Sequence, residues 1–201
     1  LSDFFSIRSD DSVKFSLSNA LLAANKIRMA MSEAIQSKVK TSLLTVDSLY
    51  HRLVLLVGEI QSGKSSVLKS ISNEFNIPVT NVNLEISAQL LDLTNKKRSI
   101  HLPELLGDIL KNAHPFVLLD NIEILFDKDL KQDPLRILQN ISRNCAVVAS
   151  WGGSFSNGRL QYAEPGHSEY RSYDSVNALI VTMDGWTTID SENYKEGARQ
   201  A

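Results

Sequence analysis

Cysteine occurs once in the 201 residues, at Cys145. That excludes an internal disulfide and a thiolate zinc cluster. Its place in the apolar run "CAVVAS" reads as a buried, inert thiol. No run approaches the ~20 apolar residues that span a bilayer; the longest, "LVLLV" and "FVLL", are strand-sized. His51, His101, His114 and His167 lack metal-ligand spacing. Neither sign of charge dominates: the formal net charge is -2, which argues neither for nor against nucleic acid as a partner. Residues 1–30 hold no basic leader followed by an apolar core. With the lone cysteine, this gives the expectation of a cytoplasmic protein without a membrane partner.

What is present is an ordinary globular composition, 43% hydrophobic and 22% charged, at a length that suits one compact domain. Residues 1–31 are serine-rich, start without methionine and show no sustained period, so they are expected to form an N-terminal arm or extension, with Met29 and Met31 as candidate original starts. The domain proper is expected over 32–190, with a tail at 191–201. Ile35, Val39, Leu43 or Leu44, and Val46 predict an amphipathic helix over 32–48. Strands are predicted at 53–57 ("LVLLV"), 79–86 ("VTNVNLEI"), 116–120 ("FVLLD"), 146–150 ("AVVAS") and 178–183 ("ALIVTM"). Helices are predicted between them at 64–75, 87–94, 103–111 and 133–142, with "NKKRS" as a basic loop and Pro134 in the first turn of the last helix. This alternation argues for a layered α/β sheet, mostly parallel.

One motif is complete. "GEIQSGKSS", Gly58, Glu59, Ile60, Gln61, Ser62, Gly63, Lys64, Ser65 and Ser66, contains G-x-x-x-x-G-K-[ST] between a buried strand and a helical pattern. The glycines permit backbone angles that let successive N–H groups converge on one anion. Lys64 is placed to reach terminal phosphates, Ser65 offers a hydroxyl to Mg2+, and the following helix presents its positive end. The expected ligands are therefore ATP and Mg2+. A G-x-G-x-x-G dinucleotide fingerprint is absent from the segment.

In "FVLLDNIEILF", four apolar residues end in Asp120, placed to hold the metal's shell opposite Ser65. Hydrolysis also needs a group that orients water. Asn121 follows Asp120 directly, and an amide positions water but cannot take its proton. Two carboxylates remain open for that role, Glu123 and, at the end of the expected second strand, Glu85. In "VVASWGGSF", Ser150 stands where a strand-end polar residue can sense the terminal phosphate, with Ser154 as a second option. Trp151 is open to two roles, stacking on a base or plugging the top of the sheet.

The two phosphate-site motifs resemble those of the additional-strand P-loop NTPases, within them the AAA+ ATPases. The resemblance spans about residues 50–185 and implies a three-layer sandwich with a five-stranded sheet in the order 5-1-4-3-2. That group normally adds a helical lid with a sensor arginine. Little chain follows "ALIVTM", so the lid is expected to be missing or supplied by another protein. "NVNLE", "LLDNIEILF" and "ASWGGSFSNGRLQYAEPGHSEYRSY" also resemble the small P-loop proteins of BREX bacteriophage-exclusion systems. This resemblance implies a defence role beside larger partners, and it carries Gly58, Gly63, Lys64, Ser65 and Asp120 as matching positions.

Arginine fingers are expected from a neighbouring subunit in such assemblies. Arg143 and Arg159 are the leading candidates, ahead of Arg136 and Arg171. "NKKR" with Arg28, Lys38 and Lys40 could touch a DNA backbone, though a solvated loop explains it as well. The expectation is an ATP-binding, weak or partner-activated ATPase in a homo-oligomer or larger defence complex. Two alternatives stay open. One is a non-hydrolysing nucleotide-binding module. The other is a small-molecule or nucleotide kinase, for which no paired-arginine lid follows "LTNKKRS".

Overall fold

The computed structural model describes residues 8–111 and 115–189. The first seven residues of the expected arm, His114 and the tail at 191–201 lie outside them. At the centre is β1 (Leu53–Gly58), whose first five residues are buried. Its side chains alternate between two cores, as a pleated strand requires. Leu53, Leu55 and Val57 face one core with Leu119, Ala149 and Trp151, while Val54 and Leu56 face the other with Leu118, Val148 and Val181.

Around β1 lie β2 (Val79–Asn81), β3 (Phe116–Asp120), β4 (Ala146–Ser156) and β7 (Leu179–Thr182). The order is β2-β3-β4-β1-β7, all parallel. One face carries α1 (Arg8–Thr45) and α2 (Lys64–Phe75); the other carries α3 (Val82–Leu90), α4 (Asn95–Leu110) and α5 (Pro134–Ile141). The architecture is thus α/β, with helices on both faces of a mostly parallel open sheet.

The sheet differs from the expected five strands in the order 5-1-4-3-2. It has seven, because β5 (Arg159–Tyr162) and β6 (Arg171–Tyr173) lie between the expected fourth and fifth strands, where no strand was expected. They precede the last strand, so the neighbour of β1 is the seventh strand and not the fifth. Both are short, and "RLQY" buries only Leu160, so neither has the apolar run that marked the others.

β4 is also longer than expected. Its first half pairs with β1 and β3 up to Gly152, and from Gly153 onward it pairs antiparallel with β5. Gly153 is required there: a Cβ built on it would lie 2.0 Å from the Gln161 carbonyl oxygen across the strand pair. Gly153→Ala is therefore expected to cost about 1–3 kcal/mol and to lower the melting temperature by about 2–10 °C. Thermal unfolding checks it, and an unchanged midpoint contradicts the β4–β5 pairing.

Three further expectations are corrected. The second strand is three residues, not eight: the Asn81 side chain accepts from Leu84 N at 3.0 Å and starts α3 there. "NKKR" is not a loop but the first turn of α4. The helix expected over 32–48 begins far earlier, at Arg8, within the segment expected to be an arm. From Leu21 to Met31 this helix is exposed, so no burial imposed the amphipathic period that would have marked it.

Candidate functional site

The carboxyl ends of β1, β3 and β4 meet at one edge of the sheet, where open α/β folds place their ligands. β1 ends at Gly58 and α2 begins at Lys64, so residues between them form a loop capping the helix. A turn closes it, with Ser62 N donating to Glu59 O at 3.2 Å. Gln61 and Gly63 take left-handed backbone conformations, φ 64° and 99°, and Gly63 is the N-cap of α2. Gly58 has no room for a side chain: a Cβ would meet Met183 Cγ at 2.6 Å and Ser62 Oγ at 2.7 Å. Met183, which follows β7, donates its N–H to Val57 O of β1 at 2.8 Å; the sequence marked it as the end of a strand and not as part of the site.

The Lys64 ammonium folds over this loop, donating to Gly58 O and Glu59 O, each at 2.7 Å. Burial holds its pKa below the usual lysine range, while the carboxylates of Glu123 and Asp120 pull the other way. Those two acids are thus the ones that act on Lys64. Glu85 is not among them. It lies exposed in the first turn of α3, because the strand that should have ended in it stops at Asn81.

Asp120 closes β3 and is buried. Its Oδ1 accepts from Ser150 Oγ at 2.6 Å and from Asn121 N at 3.0 Å. The pairing of Leu119 with Ala149 in the β3–β4 register sets Asp120 beside Ser150, so the strand-end serine meets the acid directly. Both hydrogen bonds fall on one carboxylate oxygen. A carboxylate so oriented is a hard-oxygen donor of the kind Mg2+ takes. Among the described residues no group of three or more His, Cys, Asp or Glu side chains could hold a metal by itself.

Asn121 has a backbone reason to be asparagine. Its φ is 52°, a left-handed conformation that asparagine adopts more readily than glutamate. Its carbonyl accepts from Asn83 N at 2.9 Å. The chain then turns through Ile122 into a short 3-10 helix, Glu123–Phe126. This brings Glu123 back to the sheet edge: a Cβ built at Gly152 would lie 3.9 Å from Glu123 Oε1 and 3.7 Å from Tyr162 Cε2. Tyr162 stacks on Phe126 at 3.4 Å between ring centroids. Burial, then Glu169 and Glu123, push its phenol up to about 12. Tyr162 escaped the sequence reading because β5 did.

Trp151 is fully buried and plugs the sheet rather than stacking on a base. Its Nε1 donates to Gln161 O at 2.9 Å, and its ring meets Phe126, Tyr162 and Tyr173 edge-on. Cys145 is half-buried, and that burial raises its thiol pKa. Beside the loop opens a cavity of about 330 Å³, lined by Glu59, Ser62, Ser154, Phe155, Met183 and Asp184 among others. Asp184 is held below the usual carboxylate range by the Thr182 hydroxyl and the Trp186 N–H. A larger hollow of about 420 Å³ lies at the β4–β5 turn, away from the loop and its acids.

The basic residues are dispersed. Arg143 precedes β4, at the opposite end of the strands from the loop, and stacks on Tyr50 with 5.0 Å to the ring centroid. Arg159 is paired with Asp174. Arg136 is exposed on α5, and Arg171 donates to Tyr170 O at 3.0 Å. Lys40 pairs with Glu74 at 3.0 Å, Lys38 donates to Gly185 O, and Arg98 to Leu93 O at 2.8 Å. Among the described residues no helix is long and apolar enough to cross a membrane. No protein-family model matches the chain, and no curated protein matches it.

Proposed function

We propose that the chain binds ATP with Mg2+ on Gly58–Ser65 and hydrolyses it slowly, as a partner-activated subunit of a larger assembly. The observation that carries this reading is the convergence of two acids, Asp120 and Glu123, on Lys64 at one sheet edge. In this reading the loop's backbone and Lys64 hold the phosphates. Ser65 and Asp120 would hold the Mg2+, whose charge would offset that of the terminal phosphates. Ser150 fixes the Asp120 carboxylate through their 2.6 Å hydrogen bond. Glu123 accepts the proton of the attacking water, whose oxygen bonds to the terminal phosphorus as the bond to the leaving ADP oxygen breaks.

Slow turnover follows from two features. Glu123 is exposed and set on a 3-10 helix rather than on a strand. Arg159 is occupied by Asp174, and Arg143 lies at the far end of the strands, so the stabilising cation comes from another molecule. The resemblance to small P-loop proteins of phage-exclusion systems supports a defence complex as that setting.

Glu123→Gln separates this reading from a non-hydrolysing module. The variant is expected to bind ATP as the parent does and to lose turnover by about a hundredfold, while Glu85→Gln changes neither. Phosphate release under saturating ATP and Mg2+ measures it. Equal turnover in parent and Glu123→Gln overturns the assignment of the base, and ATP binding without any turnover identifies the non-hydrolysing module.

A further inference from the structure

The outer wing of the sheet, β4 beyond Gly152 with β5 and β6, reaches the site without carrying any residue of the phosphate loop. The register shows where it meets the site. Gly152 pairs with Gly58, the first residue of the loop, and Gly153 pairs with Tyr162 of β5. A Cβ at Gly152 would stand 3.9 Å from Glu123 Oε1 and 3.7 Å from Tyr162 Cε2, so the carboxylate and the ring flank that strand position together. The Tyr162 ring also stacks on Phe126, with centroids 3.4 Å apart and planes 12° from parallel. Glu123 and Phe126 are the first and last residues of one 3-10 helix. So short a turn has poorer hydrogen-bond geometry than an α-helix and depends on packing. Phe126 is fully buried and Glu123 is exposed, so the ring end of the turn is its fixed end. Burial and two neighbouring glutamates push the Tyr162 phenol up to about 12, so it sets no second negative charge beside Glu123 near neutral pH.

We infer, on the reading of Glu123 as the base, that Tyr162 is a positioning residue for hydrolysis. By clamping Phe126 it sets the 3-10 helix whose other end is Glu123, and so holds that carboxylate at the sheet edge beside Gly58. Tyr162 is not among the groups proposed to hold phosphate or Mg2+. It therefore acts on the hydrolytic step and not on ATP affinity. The antiparallel wing is in this way the support of the base: displacing β5 moves Glu123 through the Tyr162–Phe126 stack, while the loop on β1 and α2 stays as it is.

The test is kcat at saturating ATP and Mg2+, with ATP affinity from calorimetry, on the full chain well below each variant's melting temperature. Tyr162→Phe keeps the stack and is expected to turn over within about twofold of the parent. Tyr162→Leu loses it and is expected to lower kcat by about tenfold or more, as a misplaced reacting group does, with ATP affinity unchanged. Tyr173→Leu is the control for packing alone. Tyr173 meets the same aromatic cluster at Trp151, with 5.9 Å between centroids, so its loss is expected to lower the melting temperature and leave kcat as in the parent. In the Glu123→Gln background Tyr162→Leu is expected to add nothing, because it acts only through that carboxylate. If Tyr162→Leu does not fold, Gly152→Val replaces it: its side chain enters the gap between ring and carboxylate, and the same loss of kcat is expected. Parent-like kcat in Tyr162→Leu or Gly152→Val overturns the inference. So do an equal loss in Tyr162→Phe or Tyr173→Leu, and losses that multiply in the double variant. Parent-like kcat in Glu123→Gln instead removes the base itself, and a parent that binds ATP without turnover removes both.

Discussion

Lys64→Ala is expected to abolish measurable ATP binding and leave the melting temperature of the free protein unchanged. The two halves of this expectation have different causes. In the free chain the ammonium is held by two carbonyls of its own loop, Gly58 O and Glu59 O. Burial opposes its charge and outweighs Glu123 and Asp120, which favour it, so removing the ammonium takes away no charge that folding favours. In the proposed nucleotide complex the same ammonium would face phosphate oxygens, where charge-assisted hydrogen bonds are about twice as strong as neutral ones. Losing two of them costs about 3–5 kcal/mol, or roughly two to four orders of magnitude in affinity. Titration calorimetry with ATP and Mg2+ reads this directly. An affinity within a few-fold of the parent would remove the loop as the phosphate site, whatever its sequence.

The second large effect is on stability. Trp151→Ala is expected to cost about 3–5 kcal/mol and to lower the melting temperature by about 6–20 °C. The ring is fully buried where β4 passes from the parallel sheet to its pairing with β5. It contacts Phe126, Tyr162 and Tyr173, with centroids 5.0, 6.3 and 5.9 Å away. Its removal therefore leaves a void shared by three aromatic neighbours, and it also strips the Gln161 carbonyl of the Trp151 N–H. Trp151→Phe separates these terms, since it keeps most of the packing and loses the hydrogen bond. Thermal unfolding of the two variants checks both. A shift below about 2 °C for Trp151→Ala, under 1 kcal/mol at this size, would show that the ring supports nothing.

The strand–loop–helix around Gly58–Ser65 was legible because its requirements are local: glycines for backbone angles, a buried strand before and a helix after. The place of Asp120 at the end of β3 was legible for the same reason, as the first polar residue after a buried run. The choice between Glu123 and Glu85 was not. It depends on a left-handed backbone at Asn121 that turns Glu123 back to the site, and on Asn81 capping a helix that carries Glu85 away. "VTNVNLEI" fits a buried strand and a buried helix turn equally well over so few residues, and only tertiary packing decides. β5 and β6 bury too few side chains to pattern their own sequence, and α1 beyond Ile35 buries none among its described side chains. The sandwich was thus readable wherever burial wrote a period, and silent in the segments that reach outward from it.

The position of β1 has a consequence for the time course of folding. Leu53 pairs with Val147 and Val54 with Leu179, so both neighbours of the central strand come from far along the chain. Closing such long loops is entropically costly and slows the pairing of parallel strands. Lys64 and its loop emerge from synthesis well before β4 can flank them, and before Met183 can brace Gly58. A nascent or truncated chain that ends ahead of β7 therefore carries the complete phosphate motif without the support that shapes it. Acquisition of nucleotide affinity during refolding is accordingly expected to coincide with the last stage of core formation.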